Sequence, residues 1–205
     1  MHYSTHAIAP LYKVSGSTIE SVICVGGGTM SEKLVSNYGN PFPIEDCLLC
    51  FENGFKGQVV RGLFECSAPV KESFNIYGSK KTVITEYNPR TVEKIYDESK
   101  CDHAGFVEEY LAPKNYYKLL PKEIHWTTVE QKGGGRISSQ EYLESAPLSG
   151  HGGSHPHLCH EFVSCILENR PSSINEDVAA NITAAGICAH ISAIKGGEKV
   201  LVPKF

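Results

Sequence analysis

The sequence predicts an α+β fold: a large, mostly antiparallel (mixed) sheet with helices packed on one face. Three observations predict it. Several apolar segments bounded by Gly, Pro, Asn and Ser follow one another without long helices between them, the order of an antiparallel layer rather than a βαβ chain. Two long helical patterns then close the chain. The composition, 41% hydrophobic over 205 residues with no residue class in excess, is that of an ordinary globular chain able to bury one substantial core or two small ones.

Taken in order, "THAIAPLYKVSG" (residues 5–16) reads as a short helix. "TIESVICVGG" (18–27), "EDCLLCFENG" (45–54), "GQVVRGLFECSA" (57–68) and "SFNIYGSKKTVITEY" (73–87) read as strands, with apolar residues on both faces of "CLLCF" and "VVRGLF". Residues 87–150 are polar, aromatic and irregular, with Pro89, Pro113, Pro121 and a "KGGGR" turn, and read as an excursion from the sheet that serves a site or an interface. "HPHLCHEFVSCILENR" (155–170) predicts a helix with Pro156 in its first turn and a core stripe of Leu158, Phe162, Cys165 and Ile166. The run from Val178 to Ile194 is too short and too polar, with Asn181, Thr183, His190 and Ser192, for a membrane span. It predicts a buried helix, entered through Ser172, Ser173, Glu176 and Asp177 and stopped by Lys195, Gly196 and Gly197. His190 on this helix reads as a satisfied core histidine. "EKVLVP" (198–203) predicts a last strand.

A formal charge of -4 with scattered Lys and Arg leaves no basic stripe for nucleic acid and no polybasic segment for a membrane, so neither partner is expected. Eight cysteines could form a disulfide framework, but a chain of this size with no leader pattern does not need one. Reduced thiols in the cytoplasm are the expectation. Cys47 and Cys50 have CxxC spacing, yet they lie in a strand, where residues three apart face opposite sides.

Two stretches resemble binding motifs. "VICVGGGTMSEKLV" sets Gly26, Gly28 and Ser31 after an apolar strand at nearly the spacing of a dinucleotide-binding turn. Gly39, Pro41 and Pro43 leave too few residues for a crossover helix, so a strand, a glycine turn and a second strand are predicted, with no nucleotide bound. "GHGGSHPHLCHEF" (150–162) carries His151, His155, His157, Cys159 and His160. A metal site, a substrate pocket and a histidine-rich helix start are all open for it. The helical spacing spreads the five side chains over several directions, whereas tetrahedral zinc needs them to converge, so no metal is assigned.

Three segments together, "HYSTHAIAPL", "SFNIYGSKKTVITEY" and the stretch from Gly150 to Phe205, resemble the C-terminal domain of the glucose-fructose oxidoreductase / inositol dehydrogenase (Gfo/Idh/MocA) family. The resemblance spans most of the chain and is weakest over residues 87–150. It implies a single substrate-binding and oligomerisation domain over 1–205, assembling into a homo-oligomer through its open sheet face. Family members join this domain to an N-terminal Rossmann domain that holds NAD or NADP. That unit and the family's Glu-Lys-Pro motif have no counterpart here, so the chain is expected to be half of an enzyme and to bind no cofactor alone.

The resemblance further implies a reaction: hydride transfer between a nicotinamide and a sugar, cyclitol or glycoside, with a histidine as acid/base on the hydroxyl. His6 matches that histidine, and an imidazole suits the role because it titrates near neutrality. Pro10 cannot donate to the carbonyl of His6, which predicts a kink there. The family's common aspartate position is His2 here, a departure toward members with the pattern Y-x-T-H, some of them NAD-dependent glycosidases. His2, Tyr3 and Thr5 would then border the substrate, as would His151, Ser154 and His155 at the later helix start. Three functions stay open: the oxidoreductase half, a glycosidase of the same fold, and a non-catalytic sugar-binding or assembly module. A helix whose His2 and His6 share one exposed face, four residues apart, is the plain alternative for the first helix.

Overall fold

A computed structural model describes residues 1, 3–62, 64–65, 71–85, 93–97, 108–111, 120–124 and 149–205, with the backbone alone at 71, 93–97, 108–111 and 149–154. The chain divides into two compact units, Met1–Ala112 with Glu176–Phe205, and Pro113–Asn175.

The first unit is an antiparallel sheet with helices on one face, the α+β architecture expected. Its elements are α1 (Thr5–Ser15), β1 (Ile19–Gly27), α2 (Glu32–Tyr38), β2 (Ile44–Phe51), β3 (Lys56–Gly62), β4 (Lys71–Tyr77), β5 (Lys81–Thr85), β6 (Glu93–Asp97) and β7 (Glu108–Leu111). The second unit contributes α3 (Ser149–Glu168); α4 (Glu176–Ile194) and β8 (Val200–Leu201) return to the first. Eight strands run β7-β6-β5-β4-β3-β2-β1-β8, and each neighbouring pair is antiparallel.

Strand alternation selects the covered face. On β2, Glu45, Cys47, Leu49 and Phe51 are buried, while Ile44, Asp46 and Leu48 are exposed. Ala7, Ile8 and Leu11 of α1 and Ile182, Ala185, Cys188 and Ala189 of α4 join Val22, Cys24, Cys47, Leu49, Phe51 and Val59 in one core. Cys24 and Cys47 are opposed across β1 and β2, and all the described cysteines are free thiols.

Polar side chains fix α4 to the sheet. Asn181 exchanges hydrogen bonds with the Ile19 backbone, and Ser192 Oγ accepts the Cys24 N–H at 2.8 Å while donating to the Glu198 carbonyl. By length and composition α4 could cross a membrane, but its Asn181 and Ser192 are hydrogen-bonded to β1. Gly186 permits the approach of α1: a Cβ there would fall on Ser4 Oγ.

Three expectations are corrected. A helix, α2, does form between Ser31 and Gly39, where a bare glycine turn was predicted. It is only 7 residues long and leads into an antiparallel strand, so the Gly26–Gly28 segment is not a dinucleotide-binding crossover. Gly28 turns the chain at φ 77°, with Pro43 packed where its side chain would be. The later helix begins at Ser149, which puts Pro156 inside it rather than in its first turn. Leu158, Phe162 and Ile166, predicted as its core stripe, are exposed.

In the second unit the end of α3 is tied down by an ion cluster. Arg170 Nη2 lies 2.8 Å from Glu161 Oε2 and its Nε lies 2.6 Å from Glu168, while the Ser173 N–H donates to Glu161 at 2.9 Å. The guanidinium and the amide hold the Glu161 carboxyl well below the usual carboxylate range.

Candidate active site around His6

The buried parity of β3 is Gly57, Val59, Arg61, so the strand carries a guanidinium into the covered face. Its cross-strand partner in β4 is Glu72. Arg61 Nη2 sits 2.8 Å from Glu72 Oε1, with the Arg61 side chain 2% exposed and Glu72 22% exposed. Arginine carries its charge at every accessible pH, and a buried guanidinium is tolerated only with an opposed charge. Glu72 supplies it.

His6, in the first turn of α1, points at the same oxygen: its Nδ1 is 3.4 Å from Glu72 Oε1, with 47% of the side chain exposed. Tyr3, in the left-handed region at φ 49°, stacks on the His6 ring at 5.9 Å between centroids and 8° between planes. The Arg61 guanidinium carbon lies 5.7 Å from the Tyr3 centroid. Four side chains, from α1, the turn before it, β3 and β4, thus converge: an imidazole open to solvent, a carboxylate, a fixed cation and a phenol. Such a set can exchange a proton with a hydroxyl and orient a polyhydroxylated ring.

A second polar group adjoins it. Glu45, buried on β2, accepts Asn40 Nδ2 at 2.9 Å and faces His190 Nδ1 at 3.3 Å, while Asn40 Oδ1 accepts the Phe42 N–H at 2.9 Å. His190 therefore spends its Nδ1 inside the protein, as a core histidine does. Arg61, Glu45, Asn40 and Met30 line a common crevice.

The remaining candidates are placed as follows. Thr5 opens α1 and is exposed. His2 lies outside the described residues, and His151 and Ser154 are described only as backbone within α3. His155 is exposed on α3 and belongs to the second unit, whereas His6 belongs to the first. Along α3, His157 Nε2 is buried without a hydrogen-bond partner among the described atoms. Among the described residues no three His, Cys, Asp or Glu side chains are placed to hold a metal ion.

Arg61, Glu72, Asn40 and Glu45 are absent from the sequence-derived candidates. Parity carried a signal for two of them: with Val59 facing in, Arg61 must face in, and with Cys47 and Leu49 facing in, so must Glu45. A charge at an inward strand position calls for a partner.

The opposite face of the sheet carries an open groove of about 710 Å³, lined by Ile23, Val25, Leu48, Phe55, Gln58 and Tyr77 among others. Val25, Leu48 and Tyr77 are substantially exposed.

Solved structures share this fold. A levoglucosan dehydrogenase in complex with NADH superposes with a TM-score of 0.67 at 17% identity, over 100% of this chain and 50% of that one. An NAD binding oxidoreductase from Klebsiella pneumoniae gives 0.64 at 13% identity over 98% and 50%, and an oxidoreductase domain protein from Kribbella flavida 0.58 at 14% over 99% and 51%. The chain spans about half the length of the structures it matches. No family model matches it, and no curated protein does. The fold is shared with about one half of each of these oxidoreductase structures.

Proposed function

We propose that this chain is the substrate-binding half of an NAD(P)-dependent oxidoreductase acting on a sugar, cyclitol or glycoside in the cytoplasm, with the nicotinamide held by a separate nucleotide-binding unit. The observation that carries the reading is the convergence of His6, Glu72, Arg61 and Tyr3 on a fold shared with NAD-linked dehydrogenases. His6 takes the hydroxyl proton as hydride passes from the carbon bearing that hydroxyl to the nicotinamide, and returns the proton in reverse. Tyr3 and Thr5 border the ring. A levoglucosan dehydrogenase of this fold was solved with levoglucosan and with L-sorbose, which supports the substrate class.

The open sheet face is the assembly surface of a homo-oligomer, since its exposed apolar residues are more than a solvated face needs. The test of function is a screen of sugars, cyclitols and glycosides with NAD and NADP on the product of the complete open reading frame, following nicotinamide absorbance. Reduction with at least one polyol is expected, and no turnover with any of them contradicts the reading. Tyr3 stacked on His6 keeps the NAD-dependent glycosidase as a second reading. It predicts hydrolysis of the glycoside with no net change in the nicotinamide.

A further inference from the structure

The carboxylate beside His6 has a feature that bears on which ring nitrogen reacts. Glu72 Oε1 is met by two nitrogens at once, Arg61 Nη2 at 2.8 Å and His6 Nδ1 at 3.4 Å. Arg61 is a permanent donor, so the oxygen it binds is already an acceptor, and a second nitrogen facing that oxygen is matched only if it too donates. An imidazole nitrogen without a hydrogen would set two lone pairs against each other. Arg61 is also fixed: its side chain is 2% exposed, its Nη1 donates to the Gly62 carbonyl at 3.3 Å, and β3 and β4 hold Arg61 and Glu72 in register.

We propose that Glu72, held by Arg61, is a positioning residue that keeps the proton of neutral His6 on Nδ1 and so makes Nε2 the basic atom. The proposal rests on His6 as the acid/base of the reaction, and gives that reaction its direction: the proton enters and leaves at the ring nitrogen that does not face Glu72. The ring is oriented by the same contact, because the carboxylate fixes one edge and Tyr3 stacks on the face at 5.9 Å. The 3.4 Å separation is long for a hydrogen bond, as catalytic contacts often are before substrate closes them. Which nitrogen of a histidine carries the proton is set by the bond the other makes, so the tautomer reads the role of Glu72 directly.

The experiment is nitrogen-15 NMR of the 205-residue chain with labelled histidine, at alkaline pH, with His6 assigned by His6→Gln. The wild type is expected to show His6 mainly as the Nδ1–H tautomer. The double variant Arg61→Met/Glu72→Leu removes both charges together, the substitution a buried pair tolerates best, and is expected to return His6 to the Nε2–H majority of free imidazole. Should the double variant not fold, Glu72→Asp withdraws the carboxylate by one methylene and is expected to lower the Nδ1–H population. A wild-type His6 mainly in the Nε2–H form overturns the proposal, as does an Nδ1–H form that survives loss of the carboxylate. The readout needs no turnover, so Nδ1–H His6 in this chain together with no turnover by the product of the complete open reading frame would refute the oxidoreductase reading and leave the tautomer assignment intact.

Discussion

Asn181 on α4 behaves as an extra strand partner for Ile19 at the start of β1: the Ile19 N–H donates to Asn181 Oδ1 at 2.9 Å, and Asn181 Nδ2 donates to the Ile19 carbonyl at 3.1 Å. The exchange occurs where the β1–β2 register shifts, between Ile19 and Ser21. Asn181 is 5% exposed and Ile19 2%, so no water can replace the side chain. Asn181→Ala strands a buried donor and a buried acceptor, at about 1–3 kcal/mol each. Urea denaturation is expected to show a loss of about 2–6 kcal/mol, and a midpoint equal to wild type would refute the role.

The approach of α1 to α4 at Ser4 and Gly186 gives a second outcome. Gly186→Ala puts a methyl on the Ser4 side chain and forces the helices apart, an overpacking that costs about 1–3 kcal/mol. Ser4→Gly clears the space, so the pair should show a favourable coupling energy in a double-mutant cycle. Additive effects would mean that the contact does not form.

Much of the fold was legible because its signals are local. Glycine punctuation and apolar runs located β1 to β3, and the alanine-rich run located α4. The segment 73–87, which reads as one strand candidate, holds the β4–β5 hairpin, and β6 and β7 extend the sheet within residues 87–150, which read as an excursion from it. The start of α3 was misplaced because Pro156 fits a first turn so well; the helix continues upstream to Ser149 regardless. Its predicted stripe failed because spacing shows only which residues share a face. His6 was found by resemblance. Glu72 was not, since its meaning comes from a pairing with Arg61 across two strands, a relation set by register and not by spacing along the chain.

The end of α3 makes the protein's pH response partly predictable. The Glu161 carboxyl is depressed by Arg170 and by the Ser173 amide. A depressed carboxylate contributes stability that is fully present above the unfolded value near 4.5 and is lost as pH falls through the lower folded value. Carbon-13 NMR should therefore find Glu161 titrating below the ordinary glutamate value near 4.5. Arg170→Gln should raise that midpoint and release the Ser173 amide to faster exchange; an unchanged midpoint would contradict the clip.

The open sheet face predicts association. Light scattering at about tens of micromolar should give at least a dimer, and Leu48→Glu, which puts a charge in the centre of that face, should weaken it about tenfold or more. Leu48 is 40% exposed, so the substitution does not disturb the core. A strictly monomeric wild type would remove the proposed interface.

The proposed acid/base role of His6 is tested most directly by steady-state kinetics of His6→Ala on the product of the complete open reading frame, with the polyol substrate the screen identifies. Loss of a general acid/base should lower kcat about a hundredfold or more. A His6→Ala enzyme with kcat within a factor of about two of wild type would contradict the account, because no proton would then pass through the imidazole that Glu72 holds.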